Sequence, residues 1–236
     1  MKEKMNVGVL YSGGKDSAYA IEFCKKKGWN ISYLLSVKPS RTDCYLFHFA
    51  TVEATKELAK ALDLEHIYTT CDVADPKKEA EIVKNIVRNN KVDALVLGGV
   101  GLQETQIKVL QETLMPLGVE VFASHSGFDH DEMMQEMLKR GYDIRISQFA
   151  VEGLGLEWLG KKLDENLFLE LRKRAYNYGF HVGGEGGHYD TLVIDGPIFK
   201  KRLKITSAER VKETEYSGYL KIKNMELIEK AVKWAE

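Results

Sequence analysis

The sequence predicts an α/β protein: a five-stranded parallel, doubly wound sheet followed by a smaller C-terminal α+β unit. Three observations predict it. Short apolar runs alternate with amphipathic stretches through the first half of the chain, which is the pattern of a parallel sheet covered by helices. The first apolar run ends in Ser12-Gly13-Gly14-Lys15-Asp16-Ser17, a strand–turn–helix junction rich in donors. Past about Asp129 the alternation gives way to helices and separate β-like runs.

The elements follow in order. Asn6 to Tyr11 reads as a strand and Asp16 to Lys27 as a helix. Asn30 to Val37 is a strand, Thr51 to Leu62 a helix. Glu65 to Thr70 is a strand, and Pro76 to Asn89 a helix with proline in its first turn. Val92 to Leu97 is a strand, Gln103 to Met115 a helix, and Val119 to Ala123 closes the sheet. The second unit opens with a helix, Asp129 to Arg140, and a short strand, Asp143 to Ser147. A helix at Glu165 to Tyr178 and β-like runs at Thr191–Ile194, Lys201–Ser207 and Ser217–Ile222 complete it. The expected division is residues 1–127 for nucleotide binding and 128–236 for a substrate-facing α+β domain, closely packed because no low-complexity linker separates them. Met133, Met134 and Met137 are expected in the core.

Right-handed crossovers gather the strand-to-helix loops at one sheet edge. These loops are Ser12–Ser17, Ser36–Thr42, Thr69–Asp75, Gly98–Gly101 and Ser124–Gly127. Ligands bind such sheets at the carboxyl ends of the strands. Gly13 and Gly14 let the backbone turn its N–H groups toward an anion, and a helix N-terminus adds the positive end of its dipole. Lys15 adds a charge, Ser12 and Ser17 add hydroxyls. Asp16 either orients Mg²⁺ or caps its helix. The common nucleoside-triphosphate loop G-x-x-x-x-G-K-[ST] is absent: Val9 stands five residues before Gly14, and Asp16 follows Lys15. Gly98, Gly99 and Gly101 either face the nucleotide or form a helix-approach loop.

The composition, 44% hydrophobic and 29% charged over 236 residues, is that of an ordinary globular chain. A net charge of −1 argues against a large nucleic-acid footprint. No apolar stretch approaches a membrane span and no signal-peptide pattern opens the chain, so a cytoplasmic location is expected. Cys24, Cys44 and Cys71 are dispersed without a C-x-x-C pair, so neither zinc nor a disulfide framework is expected.

A second glycine-rich run, Gly183-Gly184-Glu185-Gly186-Gly187-His188-Tyr189-Asp190-Thr191, is costly to order unless its backbone comes close to something. Glu185 there can take a metal, a cationic substrate group or a backbone anchor, or stand solvated in a turn. His48 either contacts nucleotide or acceptor, or packs between Phe47 and Phe49. His125 and His130 are expected as solvated loop residues. Lys200, Lys201, Arg202 and Lys204 form either a docking patch for an acidic partner or a solvated strand edge.

The first loop resembles the S-G-G-x-D-S PP-loop of the N-type ATP pyrophosphatases. The resemblance implies a HUP-like fold of the adenine nucleotide alpha hydrolase type, with the strand-order switch between the first strand and the one ending at Leu97. It also implies ATP with Mg²⁺, a loop that holds the β- and γ-phosphates, transient adenylation of the substrate, and AMP and pyrophosphate as products. A narrower resemblance, from about Met5 to Lys204, is to the diphthine–ammonia ligase family. That family pairs S-G-G-K-D-S with a later G-E-G-G-E-[YF]-E-T segment and a D-x-P element. Here these read Gly184-Glu185-Gly186-Gly187-His188-Tyr189-Asp190-Thr191 and Asp195-Gly196-Pro197, while Leu46-Phe47-His48 is similar to the family's M-F-H. His188 and Asp190 stand where the family has Glu, and Gln103 to Val109 keeps little of its Y-Q-R-x-R-V-E pattern.

The resemblance implies an enzyme that adenylates the diphthine carboxylate of elongation factor 2 and amidates it with ammonia. Lys15, Asp16 and Glu185 are the implied catalytic residues. The nucleotide would lie against Ser12, Gly13, Gly14, Lys15, Asp16, Ser17, Ser36, His48, Gly98 and Gly99. The acceptor would lie against Gly184, Glu185, Gly186, Gly187, His188 and Thr191, with Asp16 as the Mg²⁺ candidate. A PP-loop ligase or thiolase acting on another acceptor such as RNA, and a non-catalytic nucleotide sensor, are the alternatives. The sequence leaves the oligomeric state open, a homo-oligomer included.

Overall fold

The computed structural model describes residues 4–40, 51–98, 104–124 and 129–230. His48 and its segment, Cys44, Gly99, Gly101, Gln103 and His125 lie outside the described residues. The first sheet contains β1 (Asn6–Leu10), β2 (Asn30–Pro39), β3 (His66–Cys71), β4 (Ala94–Leu97) and β5 (Glu120–Ala123). Its order is β3-β2-β1-β4-β5 and every pairing is parallel. The order reverses between β1 and β4, the expected switch point.

Both faces of this sheet are covered, and alternation along the strands divides them. Leu34, Ala94 and Val96 face one core, with Ile21 of α1 (Lys15–Lys26) and Leu58 of α2 (Thr55–Leu62). Leu35, Leu95 and Leu97 face the other, with Val83 of α3 (Pro76–Asn89) and Leu110 of α4 (Glu104–Leu114). Two-sided burial is why these strands read as continuous apolar runs. Asp75 caps α3 by accepting from the Lys78 N–H, with Pro76 in the first turn. A short 3₁₀ turn, Val52–Ala54, precedes α2, so the helix starts at Thr55 rather than Thr51.

The second unit begins with α5 (His130–Lys139) and β6 (Asp143–Ala150), followed by α6 (Glu165–Tyr178) and β7 (Tyr189–Asp195). A long hairpin, β8 (Lys201–Lys212) and β9 (Ser217–Glu229), completes an antiparallel sheet of order β7-β6-β9-β8. The hairpin strands run further than the hydropathy predicted, to Lys212 and Glu229. Their outer halves are mostly exposed and carry cross-strand pairs such as Lys223–Glu209, so no apolar alternation marks them. The Lys200–Lys204 run belongs to this solvated edge: Lys201 pairs with Glu229 and Lys204 with Glu226.

The two units share one continuous core, in which Ala18, Ile21 and Leu62 pack with Ile144, Leu192 and Leu203. Met133, Met134 and Met137 are buried in it, as expected. Polar ties reinforce the junction. The Val193 N–H donates to the Gly13 carbonyl at 2.8 Å, and the Lys200 N–H to that of Ala61 at 2.7 Å. The Tyr142 hydroxyl donates to buried Glu22 at 2.5 Å, and Arg140 pairs with the same carboxylate. No helix among the described residues is long and apolar enough to cross a membrane.

Candidate active site

Local contacts hold the phosphate-type loop in shape. Gly13 adopts φ +82°, a left-handed backbone that disfavours a side chain, and a Cβ there would meet Leu58 at 3.1 Å and Leu192 at 3.2 Å. The Ser17 hydroxyl donates to the Gly14 carbonyl at 3.0 Å, and the Ser12 hydroxyl donates to Ser17 Oγ at 3.3 Å. Helix α1 begins at Lys15, so its free N–H groups and positive dipole end lie at the turn. Gly98, at the end of β4, runs directly beneath: a Cβ there would stand 2.3 Å from the Asp16 carbonyl carbon. Its lack of a side chain therefore serves helix approach, while Gly98 also lines the cleft.

The second glycine run forms the facing wall. Ser12, Gly14, Lys15, Asp16, Ser17 and Gly98 line one cleft together with Gly184, Glu185, Gly186, Gly187, Asp190 and Thr191. A direct bond latches the walls: the Lys15 N–H donates to Thr191 Oγ1 at 3.0 Å. Gly184 has φ +77°, and a Cβ would stand 2.5 Å from the Tyr189 carbonyl oxygen. Tyr189 pins the loop from inside, its hydroxyl donating to the Val182 carbonyl. Leu35, Val37, Val52, Leu97, Ile107 and Leu110 make an apolar side to the cleft.

Charged groups converge where the walls meet. Buried Lys15 places Nζ 2.8 Å from Asp16 Oδ2 and 5.9 Å from the centre of the Tyr189 ring. Asp16 sits in the first turn of α1, where a carboxylate suits the dipole. Glu185 is buried, with Oε1 3.8 Å from Nε2 of His130. His130 opens α5, behind Asp129, whose side chain accepts from the Asp131 and Glu132 N–H groups. His130 also packs edge-on against His181, ring centres 5.1 Å apart. Its pKa is held below the usual histidine value, chiefly by burial and further by the Lys15 and His181 charges, with Asp16 and Asp129 opposing.

His130 is thus not the solvated loop residue expected from the sequence. A signal for it was present. Positions 130, 133, 134 and 137 share one helix face, and the three methionines there are buried. Three expected site residues among the described ones stand off the cleft lining: Gly13, whose carbonyl accepts from the Val193 N–H, and Ser36 and His188. Ser36 is buried, donating to the Tyr11 carbonyl at 2.6 Å and lying 2.9 Å from Nε2 of His66. His188 is half-buried, its Nδ1 accepting from the His181 N–H at 3.3 Å, beside the Phe180 ring. The Asp195-Gly196-Pro197 element is a tie rather than part of the cleft: Lys230 Nζ lies 2.6 Å from Asp195 and donates to the Gly196 carbonyl at 2.7 Å.

Comparisons with known proteins agree with this layout. A family model described as the diphthamide synthase N-terminal domain matches residues 5–120, and one described as the diphthamide synthase C-terminal domain matches residues 129–228. The chain is 29% identical to a protein of Bos taurus named diphthine–ammonia ligase, over 88% of this chain and 85% of the relative. The protein of that name in Homo sapiens shows the same figures, and that of Danio rerio is 28% identical over 88% of this chain and 89% of its own. With both domain models matched in order across nearly the whole chain, this protein belongs to the diphthamide synthase family.

Proposed function

We propose that this chain is an ATP-dependent ligase that adenylates the diphthine carboxylate of elongation factor 2 and converts it to the amide with ammonia, releasing AMP and pyrophosphate. The observation that carries this reading is the latched cleft, in which a phosphate-type loop and a buried carboxylate face each other across Thr191. A cytoplasmic setting goes with that acceptor.

The N–H groups at the start of α1 and the hydroxyls of Ser12 and Ser17 receive the β- and γ-phosphates. The apolar side of the cleft, near Val37 and Leu97, suits the adenine ring. An acceptor carboxylate oxygen attacks the α-phosphorus and pyrophosphate departs. Lys15, fixed by Asp16, faces the charge that develops on the leaving group. Ammonia then attacks the acyl carbon and AMP leaves.

The donor chemistry fits Mg²⁺ to a limited extent. Mg²⁺ prefers oxygen ligands and is commonly held by one or two carboxylates with substrate phosphates. Asp16 is the carboxylate of the phosphate loop and the residue that would hold it. When bound, it would neutralise phosphate charge. Glu185 stands on the acceptor side, where glycines allow close backbone approach.

The test is to incubate purified chain with ATP, ammonium and elongation factor 2 bearing diphthine. The expected result is the mass change of carboxylate to amide with AMP and pyrophosphate in equal amounts. ADP and phosphate as products, or an unmodified acceptor, would overturn the reading.

A further inference from the structure

Asp16, His130 and Glu185 arrive from three separate parts of the chain: the first turn of α1, the first residue of α5, and the loop before β7. Each offers one ligand atom, and these atoms all lie within 4.8 Å of one another. His130 and Glu185 are buried and Asp16 is half-buried. His130 Nε2 and Glu185 Oε1 stand 3.8 Å apart, beyond hydrogen-bond reach. A metal ion bound at about 2.1 Å in a tetrahedral site sets its ligand atoms about 3.4 Å apart. Closing that difference is a side-chain adjustment, not a backbone one.

The surroundings hold the ligands in place. A Cβ at Gly183 would meet His130 Nδ1 at 2.6 Å, so glycine there lets the loop cross the ring on its way to Glu185. His181 packs edge-on against the same ring. Lys15 pairs with Oδ2 of Asp16, and a carboxylate has a second oxygen to give. The carboxylates of Asp16 and Glu185, with that of Asp129 at the start of α5, outweigh the single charge of Lys15. The corner therefore attracts a cation.

Ligand type decides which cation. Mg²⁺ is commonly held by one or two carboxylates together with waters and substrate phosphates, not by a dedicated protein cage. An imidazole nitrogen shifts preference toward first-row transition ions. We propose that Asp16, His130 and Glu185 form a protein-held centre for a divalent first-row transition ion, filled before ATP arrives. At Asp16 this ion takes the place otherwise left to Mg²⁺. Asp16 and Glu185 line the cleft from opposite walls, so the ion would join the walls and meet phosphate or acceptor oxygens at its remaining positions. There it would draw off charge as a Lewis acid. The centre goes beyond the ligase reading and does not depend on the identity of the acceptor.

Mn²⁺ binds most weakly in the transition series, so its preference over Mg²⁺ is the stringent test. Chelator-stripped protein is titrated with Mn²⁺ in the absence of nucleotide, and bound ion is read by electron paramagnetic resonance. One Mn²⁺ per chain is expected, retained against an about hundredfold excess of Mg²⁺ and displaced by Zn²⁺. Nitrogen modulation of the Mn²⁺ spin echo should report the imidazole in the unaltered protein. His130→Asn should remove that modulation, and His130→Asn and Glu185→Gln should each weaken binding about tenfold or more. Binding that requires ATP, that yields to Mg²⁺ at equal concentration, or that is equally tight in His130→Asn would overturn the proposal. So would a spin echo without nitrogen modulation, a readout that needs no variant to fold. A chain that binds Mn²⁺ in this way yet amidates no acceptor would lose the ligase reading and keep the metal centre.

Discussion

Three single residues give sharp expectations. Lys15→Ala removes the charged donor that the proposed mechanism sets against the departing pyrophosphate. Loss of a donor of that kind costs about 10²–10³-fold in turnover, read as pyrophosphate release; an unchanged rate would take Lys15 out of the mechanism. Gly98→Ala places a Cβ 2.3 Å from backbone of Asp16, and backbone cannot rotate aside as a side chain can. Overpacking of this sort costs about 1–3 kcal/mol, and here it pushes on the phosphate loop itself. The expected outcome is a lower denaturation midpoint together with a raised KM for ATP; a variant with both unchanged would refute the close packing. His66 gives a pH dependence. Burial, and then the Lys56 charge, hold its pKa below the usual value. Unfolded chain takes up a proton near pH 6.5 while the folded protein resists. The contribution is therefore full above that pH and is lost as pH falls below it. Between pH 7.5 and 5.5, thermal melts of the unaltered protein should lose more stability than those of His66→Asn, and equal slopes would contradict this.

At the scale of elements, much of the site was legible because phosphate-loop chemistry is local. A strand, two glycines and a helix start are contiguous, so Ser12 to Ser17 could be located from the sequence. The facing wall was legible as an oddity, since four glycines around Glu185 have no cheap structural use. What the sequence did not reveal was the latch. Thr191 stands 176 positions from Lys15, and as the end of the second glycine-rich motif it was expected against the acceptor, not as a partner of the phosphate loop. Ser36 looked like a loop donor because it follows an apolar run, but β2 continues to Pro39 and turns its hydroxyl inward. The outer hairpin was missed because exposed cross-strand ion pairs leave no apolar period to read. The latch is open to test. Thr191→Val leaves the buried Lys15 N–H without its acceptor, which costs about 1–3 kcal/mol, whereas Thr191→Ser keeps the oxygen. Valine should lower stability and weaken ATP binding, and serine should restore both. If serine fails as badly as valine, packing of the methyl group rather than the bond joins the walls.

At the scale of the whole molecule, the two matched regions behave physically as one body. Helix α1 lies between the sheets: its residues Ala18 and Ile21 share a core with Val7 and Val9 of β1 and with Ile144, Leu192 and Leu203 of the second unit. The phosphate loop depends on the same junction, through Gly13 with Val193 and Lys15 with Thr191. Removing residues 125–236 would therefore bare an apolar helix face and release the loop. Each large apolar side chain returned to water costs about 1.5–3 kcal/mol. A domain has only about 5–15 kcal/mol in hand, so a few such exposures exhaust it. A fragment of residues 1–124 should show no cooperative unfolding transition and no measurable ATP binding. Mixing it with residues 129–236 should restore both, because the core and both backbone ties re-form across the cut. A first fragment that melts cooperatively and binds ATP alone would mean that the parallel sheet is self-sufficient and that the second unit contributes only the acceptor wall.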